Sequence, residues 1–220
     1  MTDLVSFDLH DGVATLAMDD GKANALSRGM SQALNAGLDR AATEAQVVVI
    51  RGRAGVLCGG FDLRVIRGGD AAQRTAMTDA GMALLARLYV LPQPLVFACT
   101  GHAVAAGGLM LLTGDIRIGV RGGFRIGLNE TSIGLALPHL GIELARDRLA
   151  PAMLTQSVIR ATLYAPDDAV AAGYLDEAVA VDGLDAAVTK AAQGLLALDA
   201  AAYAATKRRL RQPTLDRSAA

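Results

Sequence analysis

The spacing of apolar residues divides the chain into strand-like and helix-like stretches. Residues 4–9 and 13–18 are short strand-like runs that meet at Asp11-Gly12, a dipeptide favoured in two-residue hairpins. A helical pattern follows over about 27–42, with Ser27 placed as its N-cap. Gln46 to Gly52 is a continuous β-branched run, which predicts a strand buried on both faces. The stretch AGVLCGGFDL then reads as a loop, and about 75–89 as a helix closed by Pro92 and Pro94. Leu95 to Gly101 predicts a second buried strand, and Ala103 to Asp115 a loop, an apolar helix and a stop. DIRIGV and FRIGL are short strands, and from Glu143 onward the pattern is mainly helical, with Ala-rich stretches at 143–149, 167–172 and 184–210. Strand–helix alternation followed by helices predicts an α/β protein with a helical C-terminal segment. We take 1–195 as the core and 196–220 as a short helical segment of the same domain, used for packing or trimerisation.

Composition narrows the function. The 220 residues suit one domain with a substantial core, and 52% apolar with 20% charged residues is a globular balance. A net charge of −1 gives no electrostatic case for nucleic acid or an anionic membrane. With no Trp and 4% aromatics, stacking platforms for bases are not expected either. Cys58 and Cys99 have neither metal-ligand nor disulfide spacing, and no His/Cys/Asp/Glu cluster suggests a metal. The N-terminal MTDLVSFDLHDG lacks a basic and apolar signal pattern, and no apolar run reaches the length of a membrane span. A cytoplasmic protein without membrane contact is the expectation.

Between Asp115 and Glu143 there is one acidic residue, Glu130, in the nearly charge-free run Ile126 to Ile142. Apolar surroundings raise a carboxyl group's pKa toward neutrality, the condition for passing a proton in both directions. Two glycine-bearing loops follow the two buried strands, Gly59-Gly60-Phe61-Asp62-Leu63 and Ala105-Ala106-Gly107-Gly108. At the carboxyl ends of α/β strands, one backbone N–H from each loop is enough to hold a developing oxyanion. The glycines read equally well as devices for tight turns and close packing, and Asp62 as a helix N-cap. Neither loop matches G-x-G-x-x-G or a P-loop. His102 and His139 are secondary candidates for catalysis, and Cys58 reads as packing.

The series KANALS, VLCGGFDL, GHAVAAGGLMLLTGDIRI, RIGLNETSIGLALP and AVAAGYLDEAV resembles the crotonase (enoyl-CoA hydratase/isomerase) superfamily over about residues 3 to 180. The resemblance implies a crotonase-type spiral of repeated ββα units, assembly as a homotrimer or dimer of trimers, and a place in fatty-acid metabolism. It implies an acyl-CoA thioester as substrate, with no cofactor besides, and its carbonyl between the N–H groups of Phe61 and Ala106. Substrate and CoA contacts would fall on Lys22, Ala23, Gly60, Asp62, Leu63, Gly107 and Leu109. Hydratases of the family carry two glutamates; by position the first is Leu109 here, and the second falls on Glu130 after a one-residue insertion. That arrangement resembles the mitochondrial Δ3,Δ2-enoyl-CoA isomerases. One carboxylate suffices to move a double bond, whereas water addition is easier with two groups. The enzyme alternative is a hydratase or another crotonase reaction whose second acid is an unrecognised group such as Glu143 or Asp147; the non-enzyme alternative is an acyl-CoA-binding relative. Lys207-Arg208-Arg209 reads as a solvated helix end, with phosphate contact across a subunit interface as the second reading.

Overall fold

The computed structural model describes residues 4–219. Strands β1 (Val5–His10) and β2 (Val13–Met18) form the expected hairpin, with both turn residues at positive φ (Asp11 47°, Gly12 78°). Helix α1 (Arg28–Glu44) starts where the Ser27 side chain accepts the Met30 N–H. It buries Met30, Leu34 and Leu38 at three- and four-residue spacing.

Two ββα units follow. The first is β3 (Val47–Arg51), β4 (Gly55–Cys58), α2 (Leu63–Gly68) and α3 (Ala71–Tyr89). The second is β5 (Leu95–Cys99), β6 (Gly101–Val104) and α4 (Ala106–Thr113). Then come β7 (Ile116–Val120), β8 (Ile126–Gly127), α5 (His139–Arg148), α6 (Leu154–Val158), α7 (Pro166–Ala172), β9 (Glu177–Val179), α8 (Leu184–Leu196) and α9 (Ala200–Ser218).

Each unit sends its strands to two different sheets. The six-stranded sheet runs β1-β2-β3-β5-β7-β9 and is parallel after the first hairpin; a second sheet pairs β4, β6 and β8 in parallel. This is the spiral of ββα units that the sequence implies. Two expectations are corrected here. AGVLCGG is not all loop, because Gly55–Cys58 is β4. Leu95 to Gly101 is not one strand, because the chain leaves the large sheet at Thr100 and enters the small one at Gly101. The Thr100 hydroxyl donates to Val56 O (3.1 Å) and Gly55 N donates to Thr100 O (3.0 Å), which stitches the two crossovers together.

The central strands are covered on both sides. Val48, Ile50, Leu95 and Phe97 face the main core under α1, α3, α4 and α5; Val47, Val49, Val96 and Ala98 face α8. Burial on both faces is what their unbroken apolar runs require.

The basic cluster is also corrected. Helix α9 extends past it to Ser218, so Lys207 lies inside the helix and is buried. Its ammonium donates to Asp115 Oδ2 (2.6 Å) and Gln93 O (3.1 Å), while Arg211 binds Asp115 Oδ1 (2.8 Å) and the Tyr89 and Thr113 carbonyls. The segment after 196 is therefore clamped to the core of the same chain. Arg208 and Arg209 remain exposed.

Candidate active site

The small sheet brings the two glycine loops together. β4 ends at Cys58 and β6 at Val104, so Gly59-Gly60-Phe61 and Ala105-Ala106 emerge side by side. Gly60 has φ +102°, and a Cβ there would stand 3.0 Å from Ala105 Cβ and 3.8 Å from Ala106 N. Gly107 is needed for a different reason: a Cβ on it would meet Cys58 O at 2.1 Å. Its bareness lets α4 dock on β4, a packing role rather than an exposed substrate contact.

Ala105 holds φ +53° and ψ −122°, a region that suits glycine and costs other residues about 1–3 kcal/mol. The strain turns the chain sharply from β6 into α4, so that Ala106 N–H becomes one of the unpaired N–H groups of a helix start. Among the described residues, neither the Phe61 nor the Ala106 N–H has a hydrogen-bond acceptor. Both N–H groups are therefore without an internal acceptor.

The turn containing KANALS supports the first loop. Gly59 N donates to Ala23 O and Leu26 N to Gly60 O, both at 2.8 Å. The Asp20 carboxylate accepts from Lys22 N, Asn24 N and Ala25 N at 2.7–3.0 Å. Burial works against its ionisation, but these N–H donors outweigh it and hold the group below the usual carboxylate range. Buried Asn24 takes φ +50° and donates to Met18 O. A cavity of about 270 Å³ opens between this turn and the loop, lined by Asp20, Lys22, Ala23, Phe61, Asp62 and Leu63. Asp62 is indeed the N-cap of α2, accepting Arg64 N, and it also pairs with the Arg64 guanidinium at 2.8 Å. Asp20, Asn24, Arg53 and Arg64 escaped the sequence reading. The Arg53 guanidinium donates to Lys22 O and belongs to the same mouth. Asp20 and Asn24 stand in a D-D-G-K-A-N turn signal that could have been read.

Glu130 hangs from the other side. β8 pairs with β6, and Ala105 N donates to Gly127 O (2.9 Å), so Glu130 lies three residues beyond the strand contact with the second loop. It begins a single 3₁₀ turn, Glu130–Ile133, closed by left-handed Gly134. The side chain is partly exposed, but its Oε2 is buried and unpaired. Burial raises its pKa above the ordinary carboxyl value, opposed by the backbone N–H groups of Glu130 and Asn129. One part of the expectation needs correcting: the flanking apolar run does not bury it, since residues 131–136 are themselves exposed.

Leu109 sits on α4, one turn after Ala105, and is 1% exposed. Its backbone N–H donates to Ala105 O (3.0 Å). The proposed replacement acids are engaged elsewhere. Glu143 binds Arg217 (2.7 Å) and Arg146 (2.9 Å), which hold it below the usual carboxylate range. Asp147 accepts the Tyr89 hydroxyl. His102 Nδ1 accepts Arg125 N (3.0 Å), and Cys58 is buried with its thiol pushed up to about 11 by burial, so neither is an activated group. Among the described residues no group of His, Cys, Asp and Glu could hold a metal, and no helix is long and apolar enough to cross a membrane.

A family model for enoyl-CoA hydratase/isomerase matches residues 8–220, and the chain belongs to that family, with the crotonase fold. It is 27% identical over 218 residues to human mitochondrial enoyl-CoA delta isomerase 1, covering 97% of this chain and 72% of that protein. A probable enoyl-CoA hydratase of Rhodobacter capsulatus is 31% identical over 120 residues, 52% of this chain and 45% of that protein. The crystal structure of an enoyl-CoA hydratase/isomerase family protein from Pseudomonas syringae superposes with a TM-score of 0.96 at 43% identity, over 99% of this chain and 94% of that one. The protein is an enzyme of this family acting on acyl-CoA.

Proposed function

We propose that the protein is a Δ3,Δ2-enoyl-CoA isomerase in which Glu130 is the single acid–base group. The observation that carries this reading is Leu109, a buried leucine at the position that the resemblance gives to the first of the hydratases' two glutamates. The thioester oxygen would accept the N–H groups of Phe61 and Ala106. Glu130 takes the C2 proton, the C2–H electrons form a C1=C2 double bond, and the negative charge collects on the thioester oxygen as a dienolate in which C3=C4 is still in place. The protonated carboxyl then returns the proton at C4, leaving a C2=C3 double bond.

The raised pKa of Glu130 suits a group that must give back what it takes. General acid–base catalysis of this kind contributes about 10²–10⁴-fold. Each oxyanion donor contributes about 10²–10³-fold. Lys22, at the mouth of the cavity, would meet the nucleotide end of CoA. Assembly as a homotrimer or dimer of trimers is part of the same proposal.

The experiment supplies the purified protein with 3-enoyl-CoA and follows the conjugated thioester absorbance. Rising absorbance that is lost in Glu130→Gln supports the proposal. No rise with 3-enoyl-CoA, together with loss of absorbance from 2-enoyl-CoA, would assign hydration instead. A change in neither would leave an acyl-CoA-binding protein.

A further inference from the structure

Beside β8, the strand that leads to Glu130, lies a group of buried hydroxyls that the proposed chemistry does not use. Tyr174 follows α7 after the left-handed Gly173 and is completely buried. Its ring lies 5.9 Å from that of Tyr164, and Tyr164 is bridged to β8 by reciprocal backbone hydrogen bonds with Ile126. Tyr164 is thus anchored four residues before Glu130. Its hydroxyl is paired with Ser157 Oγ (2.9 Å), a residue of α6 that is also fully buried.

The Tyr174 hydroxyl has no hydrogen-bond partner. Burial pushes this phenol well above its ordinary value; the Ser157 hydroxyl and the Leu128 N–H nearby ease the rise without closing a hydrogen bond, and the Tyr164 and Glu130 charges add to it. It therefore stays protonated and needs an acceptor. The Leu128 N–H is itself a donor and cannot serve. Ser157 is already engaged with Tyr164. The neighbouring segment carries two buried acceptors that also lack partners, Asn129 Oδ1 and Glu130 Oε2. A buried polar group without a partner is costly, and a native fold that keeps a donor and acceptors unpaired in one region calls for an explanation.

We infer that Tyr174 is a positioning residue for Glu130: in the working enzyme its hydroxyl donates to the buried Oε2 and leaves Oε1 to carry the proton between C2 and C4. Closing this contact breaks no hydrogen bond, because both atoms are unpaired. In unliganded sites catalytic hydrogen bonds are often long and tighten with substrate. The inference rests on Glu130 being the base.

Three variants test it in the isomerase assay, alongside binding of a saturated acyl-CoA. Tyr174→Phe keeps the ring and removes only the hydroxyl. It is expected to lower kcat about 10- to 100-fold, the effect of losing a hydrogen bond to a charged group, with KM and saturated acyl-CoA binding within about twofold. Tyr164→Phe breaks the Ser157 pair instead and is expected to keep kcat within about twofold. If Glu130→Gln remains active, the functional reading fails and the Tyr174 role with it. If Glu130→Gln is inactive but Tyr174→Phe matches the parent, the Tyr174 role alone is overturned. Equal losses in turnover and in saturated acyl-CoA binding on Tyr174→Phe would also overturn it, since they mark general packing.

Discussion

Gly81 lies inside α3, and a Cβ built on it would stand 2.4 Å from Phe61 Cε1, 2.8 Å from Phe61 Cζ and 3.3 Å from Leu26 Cδ2. The absent side chain is what seats the Phe61 ring, and through it the loop whose N–H is proposed to meet the substrate carbonyl. In Gly81→Ala the ring must retreat by roughly 1 Å to regain van der Waals separation. Two stability effects oppose each other. Alanine is better than glycine in a helix by about 1 kcal/mol. Overpacking costs about 1–3 kcal/mol. The net is a destabilisation of about 0–2 kcal/mol, or a Tm change of a few degrees in a chain of this size. Catalysis should suffer more, because a misplacement of about 1 Å can cost about 10²-fold. We therefore expect kcat/KM for 3-enoyl-CoA to fall about 10- to 100-fold in steady-state assays of folded protein. Gly194→Ala in α8 is the control: nothing lies within 4 Å of its Cβ position, so only the helix gain remains and activity should not change. If Gly81→Ala keeps kcat/KM within twofold of the parent, Phe61 does not couple α3 to the oxyanion loop and the reasoning fails.

Three further outcomes follow from the same structure. Glu130 has a folded pKa above its ordinary value. Its contribution to stability is complete below the unfolded pKa and is lost as pH rises through the folded one. Calorimetry should therefore show Glu130→Gln melting above the parent near pH 8, with the gap closing toward pH 4; a gap independent of pH would contradict the burial argument. Leu109→Glu places a carboxyl at a 1% exposed site and should destabilise by about 1–3 kcal/mol or more in urea unfolding. Any water addition to 2-enoyl-CoA by this variant, absent in the parent, would support its alignment with the missing carboxylate. Asp115→Asn leaves Lys207 and Arg211 buried without their anion and should cost about 3–5 kcal/mol, with KM unchanged.

Much of this molecule is legible in the sequence because the relevant forces are local. The hairpin follows from Asp11-Gly12, both at positive φ, and the Ser27 and Asp62 caps from side chains that bond nearby N–H groups. The doubly buried strands follow from unbroken apolar runs. β4, β6 and the three-residue β9 do not announce themselves in this way. They are short, two of them start at glycine, and pairing with distant strands makes them strands at all. The same distance hides Lys207: a basic residue in a basic run reads as solvated, while its partner Asp115 lies far away in sequence. The apolar run Ile126 to Ile142 predicts burial of Glu130 for a reason that is only half right. Its flanking residues 131–136 are exposed, and its Oε2 is buried all the same. The Tyr174 hydroxyl gave no sequence signal, because a tyrosine in a helix-to-strand turn reads as ordinary core.

The proposed isomerisation turns on one carboxylate, Glu130, with Leu109 where the resemblance places a second. The most direct measurement gives the parent and Glu130→Gln 3-enoyl-CoA and 2-enoyl-CoA in separate reactions and follows conjugated thioester absorbance. The parent should raise absorbance from 3-enoyl-CoA and leave 2-enoyl-CoA essentially unhydrated, while Glu130→Gln should bind acyl-CoA yet lose at least about 10²-fold in turnover. Rapid hydration of 2-enoyl-CoA by the parent, or isomerisation that survives in Glu130→Gln, would contradict it.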